Sequence, residues 1–261
     1  MEGVVLSKRL QALAEMVTPG RCVVDVGCDH GFVSIYLVQK GISPKVLAMD
    51  VRTGPLSRAK EHIAQYGLED YIETRLSDGL LEFRDGEASS LVCAGMGGRL
   101  MTRILTDSSE KAKGLEELIL QPQSELPEFR RFLRMAGYEL LDENIIYEEG
   151  KYYFLMKVRY AGVDGSMDAN KIAGNDALEN AVGVSESVQE ALKMELLYEK
   201  YGELLLRRRI PLLKQYLQDS LQNLGEIAES LATNENERAQ SRLMEIRQEL
   251  VCLEQALALF A

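Results

Sequence analysis

Short runs of valine, leucine, isoleucine and other apolar residues recur through roughly the first 160 positions, and each closes in a polar or glycine-rich turn. Val23-Val24-Asp25-Val26 ends at Gly27, Val46-Leu47-Ala48-Met49 at Asp50, and Ile72-Glu73-Thr74-Arg75-Leu76 at Ser77-Asp78-Gly79. Ser90-Leu91-Val92-Cys93-Ala94 runs into Gly95-Met96-Gly97-Gly98, and Glu117-Leu118-Ile119-Leu120 into Gln121-Pro122. Runs this short, separated by longer segments of helical spacing, predict parallel strands alternating with helices. The helical segments fall at about 31–40, 54–66, 98–105 and 125–136, the last stopping before Gly137. Tyr138–Ile146 and Tyr152–Tyr160 then flank Glu148-Glu149-Gly150-Lys151, which reads as an antiparallel hairpin. The expected fold is α/β: a mainly parallel seven-stranded sheet closed by one antiparallel strand, with the polar strand ends gathered at one edge.

The pattern changes near residue 161, so the expected division is a sheet domain over 1–161 and a helical extension over 162–261. Ala161–Ala169, rich in Gly, Asp and Ser, reads as a linker. Pro211 suits the first turn of a long helix, along which Leu213, Leu217, Leu221, Leu224, Ile227 and Leu231 keep one face apolar. After the polar break Thr233-Asn234-Glu235-Asn236, Leu243, Ile246, Leu250, Leu253, Leu257 and Phe260 alternate in steps of three and four. That spacing predicts an antiparallel helical hairpin of coiled-coil type, the alternative being a plain helical extension covering the sheet domain. Such a seam pairs within a chain or between chains, so no oligomer is implied.

The strand ends carry the candidate chemistry. Gly27 falls where the first strand turns into a helix, letting the backbone take positive φ and a ligand approach without meeting a Cβ. Asp50 ends the second strand, where a carboxylate accepts the hydroxyls of a ribose. The phosphate-binding loop G-x-G-x-x-G is absent, because position 29 holds Asp in place of its second glycine. A carboxylate at a helix N-terminus repels a pyrophosphate and suits a cation. S-adenosylmethionine has adenine, ribose, a sulfonium and an ammonium but no phosphate, so the acidic loop favours it over NAD or FAD. Another nucleotide, or a βα turn with no ligand, is the alternative. Asp78, beside Gly79, stands where a side chain takes an adenine amino proton, although Asp-Gly is also an ordinary turn. Gly95, Gly97 and Gly98 around Met96 open the backbone where a methyl group would be presented.

Charge and cysteines narrow the class further. The net charge of −11 argues against a protein that coats nucleic acid generally, yet a local basic patch is enough to grip a structured RNA. Arg207-Arg208-Arg209 with Lys214, Arg130-Arg131-Arg134, and Lys8-Arg9 are the candidate patches, although any one of them is more often a solvated helix face. Neither a membrane-length apolar run nor a secretory signal is seen, so a cytoplasmic protein is expected. Cys22, Cys28, Cys93 and Cys252 lack metal-site spacing and read as buried free thiols, with no metal expected.

Taken together, Leu6-Ser7-Lys8-Arg9-Leu10, Asp25-Val26-Gly27-Cys28-Asp29-His30, Asp78-Gly79-Leu80, Gly95-Met96-Gly97-Gly98, Leu120-Gln121-Pro122-Gln123 and the Gly202–Leu213 stretch resemble the bacterial tRNA (adenine-22-N1)-methyltransferases. The resemblance covers nearly the whole chain and implies a class I, Rossmann-like methyltransferase fold. It further implies methyl transfer from S-adenosylmethionine to N1 of an adenine in the D-arm region of tRNA. On the same resemblance Gly27, Asp29, His30, Asp50, Asp78, Gly79, Gly95, Met96 and Gly97 line the cofactor site. One departure stands out: the family usually continues Asp-His-Ala-Tyr-Leu-Pro, where this chain has Asp29-His30-Gly31-Phe32-Val33-Ser34. A tyrosine hydroxyl is thereby lost and base stacking kept.

Adenine N1 has an in-plane lone pair and no proton, so its attack on an activated methyl needs neither a nucleophilic side chain nor a metal. The product ring is cationic, which makes Asp29 and Phe32 the candidates for stabilising it. Asp29 is also the candidate partner of the cofactor's ammonium, and Arg9 a candidate contact for a phosphate or the base. His30 is either a substrate contact or a structural hydrogen-bonding residue. Gln121-Pro122 lacks the N/D-P-P-Y/F motif of amino-directed methyltransferases, which fits a ring-nitrogen target. The competing reading is an S-adenosylmethionine-binding scaffold whose helical hairpin recruits a partner without turnover.

Overall fold

The computed structural model describes residues 3–162, 186–233 and 236–261. Most of the linker expected at Ala161–Ala169, and Asn234-Glu235 of the polar break, lie outside the described residues. The chain forms two compact units, Met1–Ala169 and Asn170–Ala261.

The first unit runs α1 (Lys8–Glu15), β1 (Val23–Val26), α2 (Phe32–Gln39), β2 (Val46–Asp50), α3 (Thr53–Gln65), β3 (Ile72–Leu76), β4 (Ser90–Met96), α4 (Gly98–Asp107) and α5 (Ser109–Lys113). It continues with β5 (Glu117–Pro122), α6 (Leu126–Met135), β6 (Tyr138–Glu148) and β7 (Lys151–Tyr160). All seven strands join one sheet in the order β3-β2-β1-β4-β5-β7-β6. The strands from β1 to β5 pair in parallel, while β7 runs antiparallel to both neighbours. This is the expected Rossmann-like arrangement, and β1 and β4, side by side at its centre, form the switch point where strand order reverses. The hairpin turn is tight because Glu149 and Gly150 both take positive φ, 49° and 77°. Two helices were not foreseen. The Ser7 hydroxyl caps α1 by accepting from the Leu10 N–H at 3.4 Å, and α5 is a five-residue turn between α4 and β5.

Alternation along the strands builds an apolar layer on each sheet face. Val24, Val26, Leu47, Met49, Leu91, Cys93, Leu118 and Leu120 join one buried cluster. Val23, Val46, Ala48, Val92 and Ile119 join the other, with Leu13 and Ala14 of α1 and Ile35 and Leu37 of α2. Two faces covered by helices explain why these strands read as continuous apolar runs. The buried Glu117 at the start of β5 accepts from the Thr18 N–H (2.8 Å), the Thr18 and Ser90 hydroxyls (2.6 and 2.8 Å) and the Lys157 ammonium (2.9 Å). These bonds outweigh burial and hold its carboxyl below the usual range.

The second unit is helical: α7 (Glu186–Tyr201), α8 (Glu203–Arg207), α9 (Pro211–Ala232) and α10 (Glu237–Ala258). Pro211 occupies the first turn of α9, and α9 packs along α10. The seam is deepest where Leu213, Leu217, Leu243, Ile246, Leu253 and Ala256 are buried, whereas Ile227 is 46% exposed. Basic residues 207 and 209 are engaged locally. Arg207 pairs with Glu203 at 2.8 Å, and Arg209 donates to the Ala261 carbonyl at 3.3 Å. In the first unit Arg130 departs from the surface-patch expectation. It is buried, pairs with the buried Glu143 at 3.0 Å and lies 5.3 Å from the Phe154 ring centre. An arginine spaced like a surface residue thus serves as an internal tie between α6 and β6.

Candidate active site

A cavity of about 610 Å³ opens at the carboxyl ends of β1 to β4, within the usual size of a small-molecule site. Three turns make its floor. The Gly27 and Cys28 N–H groups both donate to the Met49 carbonyl, at 2.8 and 3.0 Å, folding the β1 loop back over β2. Gly27 has φ +77°, which strains any L side chain, and a Cβ there would displace the Met96 Cε now 2.1 Å from that position. Asp50 is buried, and its carboxylate is aimed by backbone donors. Oδ1 accepts from the Arg52 N–H at 2.8 Å and Oδ2 from the Asp29 N–H at 3.3 Å.

The cavity brings together Gly27, Asp29, His30, Asp50, Asp78, Gly79, Gly95 and Met96 from the expected cofactor set, with Arg9 and Phe32. Gly97 is outside the lining. It is the N-cap residue of α4 at φ −65°, and a Cβ there would come 3.0 Å from the Ser124 hydroxyl in the turn after β5. Asp78 lines the cavity but is already engaged. Arg103 on α4 holds both its carboxylate oxygens, at 3.0 and 2.9 Å, which keeps the Asp78 carboxyl below its usual range. An adenine amino group there would share the carboxylate with Arg103. Asp29 sits in the left-handed region at φ 49°, its Oδ2 3.6 Å from His30 Nε2.

Arg9 reaches the cavity from α1 and is fixed on two sides. It donates to Gln121 Oε1 at 2.5 Å, and its guanidinium lies 5.1 Å from the Tyr153 ring centre. Gln121 is fully buried, and its amide nitrogen donates to the Pro122 carbonyl at 3.1 Å, which orients the oxygen towards Arg9. The sequence motif Leu120-Gln121-Pro122-Gln123 thus holds an arginine from the far end of the domain. Arg103, Gln121 and Arg52 were not among the expected site residues. Each acts across elements distant in sequence or through a backbone turn, so no local spacing marks them.

The site's charge is acidic at its floor. Burial, reinforced by the nearby Asp50 charge and opposed by the Ser34 hydrogen bond, pushes Asp25 up to about 6. Burial beside Asp25 likewise pushes Cys93 up to about 12, and Cys28, flanked by Asp25, Asp50 and Asp29, is also raised. Both thiols are therefore unreactive, Cys28 in the cavity lining and Cys93 in the core behind it. Of the lining cations, Arg52 and Arg103 lie against Asp50 and Asp78, at 3.8 and 2.9 Å. Asp29, 58% exposed and held by no lining arginine, is the carboxylate placed to meet a cationic group of a ligand.

A methyltransferase domain model matches residues 6–156. The chain is also 34% identical over 210 residues to the Bacillus subtilis tRNA (adenine(22)-N(1))-methyltransferase, covering 78% of this chain and 88% of that protein. The chain belongs to the tRNA (adenine(22)-N1)-methyltransferase family. The crystal structure of the B. subtilis M1A22 tRNA methyltransferase TrmK superposes with a TM-score of 0.74 at 28% identity, covering 97% of this chain and 99% of that one. The Streptococcus pneumoniae protein Sp1610, solved in complex with S-adenosyl-L-methionine, superposes at 0.75 with 26% identity, over 97% and 100% of the two chains. Phe32 stands where the sequence resemblance implies a tyrosine. The ring lines the cavity, is 36% exposed, and stacks on His62 with centroids 4.6 Å apart.

Proposed function

We propose that this chain methylates N1 of the adenine at position 22, in the D-arm region of tRNA, using S-adenosylmethionine. One observation carries the reading: a single cavity joins an acidic, glycine-opened wall suited to that cofactor with Arg9 and Phe32, suited to a nucleotide. Asp50 would hold the ribose hydroxyls, Asp29 the ammonium, and Asp78, shared with Arg103, the adenine amino group. Gly27, Gly79 and Gly95 leave backbone open beside them. When bound, S-adenosylmethionine supplies a sulfonium-activated methyl group, which adenine N1 takes by direct in-line attack.

The chain's own residues then have two tasks. N1 is used in pairing or tertiary contacts in folded tRNA, so the base must be drawn out and held near attack distance. Arg9, fixed by Gln121 and Tyr153, presents a guanidinium to a phosphate of the extruded nucleotide. Phe32 presents a π-face to the base as it becomes cationic. On the helical unit, Arg207-Arg208-Arg209 would meet tRNA phosphates by exchanging present partners such as Glu203 for them. Among the described residues no helix is long and apolar enough to cross a membrane. The non-catalytic scaffold reading gains nothing from the geometry, since a scaffold does not need Arg9 fixed at the cavity.

The reading is tested by offering unmodified tRNA transcripts carrying A22 or G22. Methyl incorporation only with A22 supports it. Equal incorporation into both places the target elsewhere.

A further inference from the structure

We propose that His62 is a positioning residue for the acceptor base, holding the Phe32 ring in the attitude that methyl transfer requires. The inference rests on the reading of Phe32 as the surface on which the base stacks. Nothing in the spacing of the sequence connects position 62 with the β1 loop.

Helix α3 lies directly against that loop. A Cβ on Gly31 would be 3.1 Å from the Cβ of Ala59, so the helix and the turn are in close contact. His62 follows Ala59 by one helical turn and therefore shares its face. Its Nδ1 lies 2.9 Å from the His30 carbonyl oxygen. A carbonyl only accepts, so Nδ1 carries the proton and donates. The imidazole stacks on Phe32, with centroids 4.6 Å apart and planes 20° from parallel. His30 completes the cluster, 5.9 Å from Phe32 and 5.8 Å from His62. The chain's two histidines thus meet around one phenylalanine.

The placement of Phe32 makes such support useful. It is the first residue of α2, after Gly31 at φ +75°, and no side chain caps that helix start. His30 and Phe32 line the cavity and His62 does not. Any effect of His62 on the reaction therefore passes through the Phe32 ring or the His30 carbonyl. Offset ring stacking of this kind restrains a side chain by an amount worth about two- to tenfold in rate.

Single-turnover methylation at saturating tRNA and cofactor separates these roles, with cofactor affinity measured by calorimetry on the same proteins. His62→Ala is expected to slow the transfer roughly three- to tenfold while leaving cofactor affinity within about twofold. His62→Phe keeps a ring on Phe32 and should retain near wild-type rate. His62→Asn keeps a donor for the His30 carbonyl but no ring, and should be as slow as His62→Ala. Combining His62→Ala with Phe32→Leu should be no slower than Phe32→Leu alone, because one residue acts through the other. Multiplicative losses in the double variant would overturn the proposal. So would a fast His62→Asn beside a slow His62→Phe, or a loss confined to cofactor affinity. If Phe32→Leu is itself unimpaired, the stacking reading of Phe32 fails first, and a slow His62→Ala would then show a different route. Should His62→Ala fold poorly, the contrast between the Phe and Asn variants decides the matter.

Discussion

Asp25 offers a quantitative check on the electrostatics of the site. Its carboxyl is 4% exposed on β1 beneath the cavity, with Oδ2 accepting from the Ser34 hydroxyl at 2.7 Å. Burial is the largest influence and moves it from the ordinary 3.8 up to about 6. A rise of about two units corresponds to roughly 3 kcal/mol favouring the protonated form in the fold. The sign follows from proton counting. Between pH 4 and 6 the native state holds this proton and the unfolded state has released it. Stability from the neutral carboxyl is therefore full below pH 4 and is lost as pH rises through 6. Asp25→Asn keeps an oxygen for Ser34 and removes the titration. The variant should be more stable than wild type by about 3 kcal/mol at pH 7.5, the gain shrinking below about 1 kcal/mol at pH 4. Urea unfolding followed by far-UV circular dichroism reads this difference, since the chain has no tryptophan to report by fluorescence. A difference independent of pH, or a variant weaker than wild type at pH 7.5, would refute the reasoning.

Other expectations follow from single contacts. Asp50→Ala removes the carboxylate aimed by the Arg52 and Asp29 amides, and calorimetry should show cofactor affinity at least about tenfold weaker in a folded protein. Gly27→Ala places a Cβ at positive φ against Met96, and should weaken cofactor binding and lower thermal stability by about 1–2 kcal/mol. Arg9→Ala should raise KM for tRNA and reduce its salt dependence by about one counterion's worth of slope, leaving cofactor affinity unchanged. Glu143→Gln breaks the buried pair with Arg130, and chemical denaturation should register a loss of about 3 kcal/mol or more.

The fold was largely legible because both sheet faces are covered. A strand such as Val46–Asp50, buried on both sides, can only be a continuous apolar run, and such runs announce a parallel sheet. Glycines at forced turns were legible for a similar reason. Gly27 and Gly95 stand where backbone takes φ +77° and +78°, and no other residue type marks such points as clearly. What escaped was whatever depends on two distant segments meeting. Arg103 reaches Asp78 across 25 positions, and Arg9 reaches Gln121 across 112. Arg130 escaped by the opposite route, since its charge concealed a buried partner on β6. Gly97, placed in the cofactor set by the resemblance, packs near the Ser124 hydroxyl instead of lining the cavity, a contact across 27 positions that no local spacing marks.

Methyl transfer to N1 of adenine 22 in tRNA is the activity on which the site assignments converge. The most direct test incubates the protein with labelled S-adenosylmethionine and unmodified tRNA transcripts, then locates the modified nucleoside by nuclease digestion and mass spectrometry. 1-Methyladenosine is expected at position 22, and none with Asp50→Ala at limiting cofactor. Cofactor binding without transfer, or methyl recovered on another nucleoside, would contradict it.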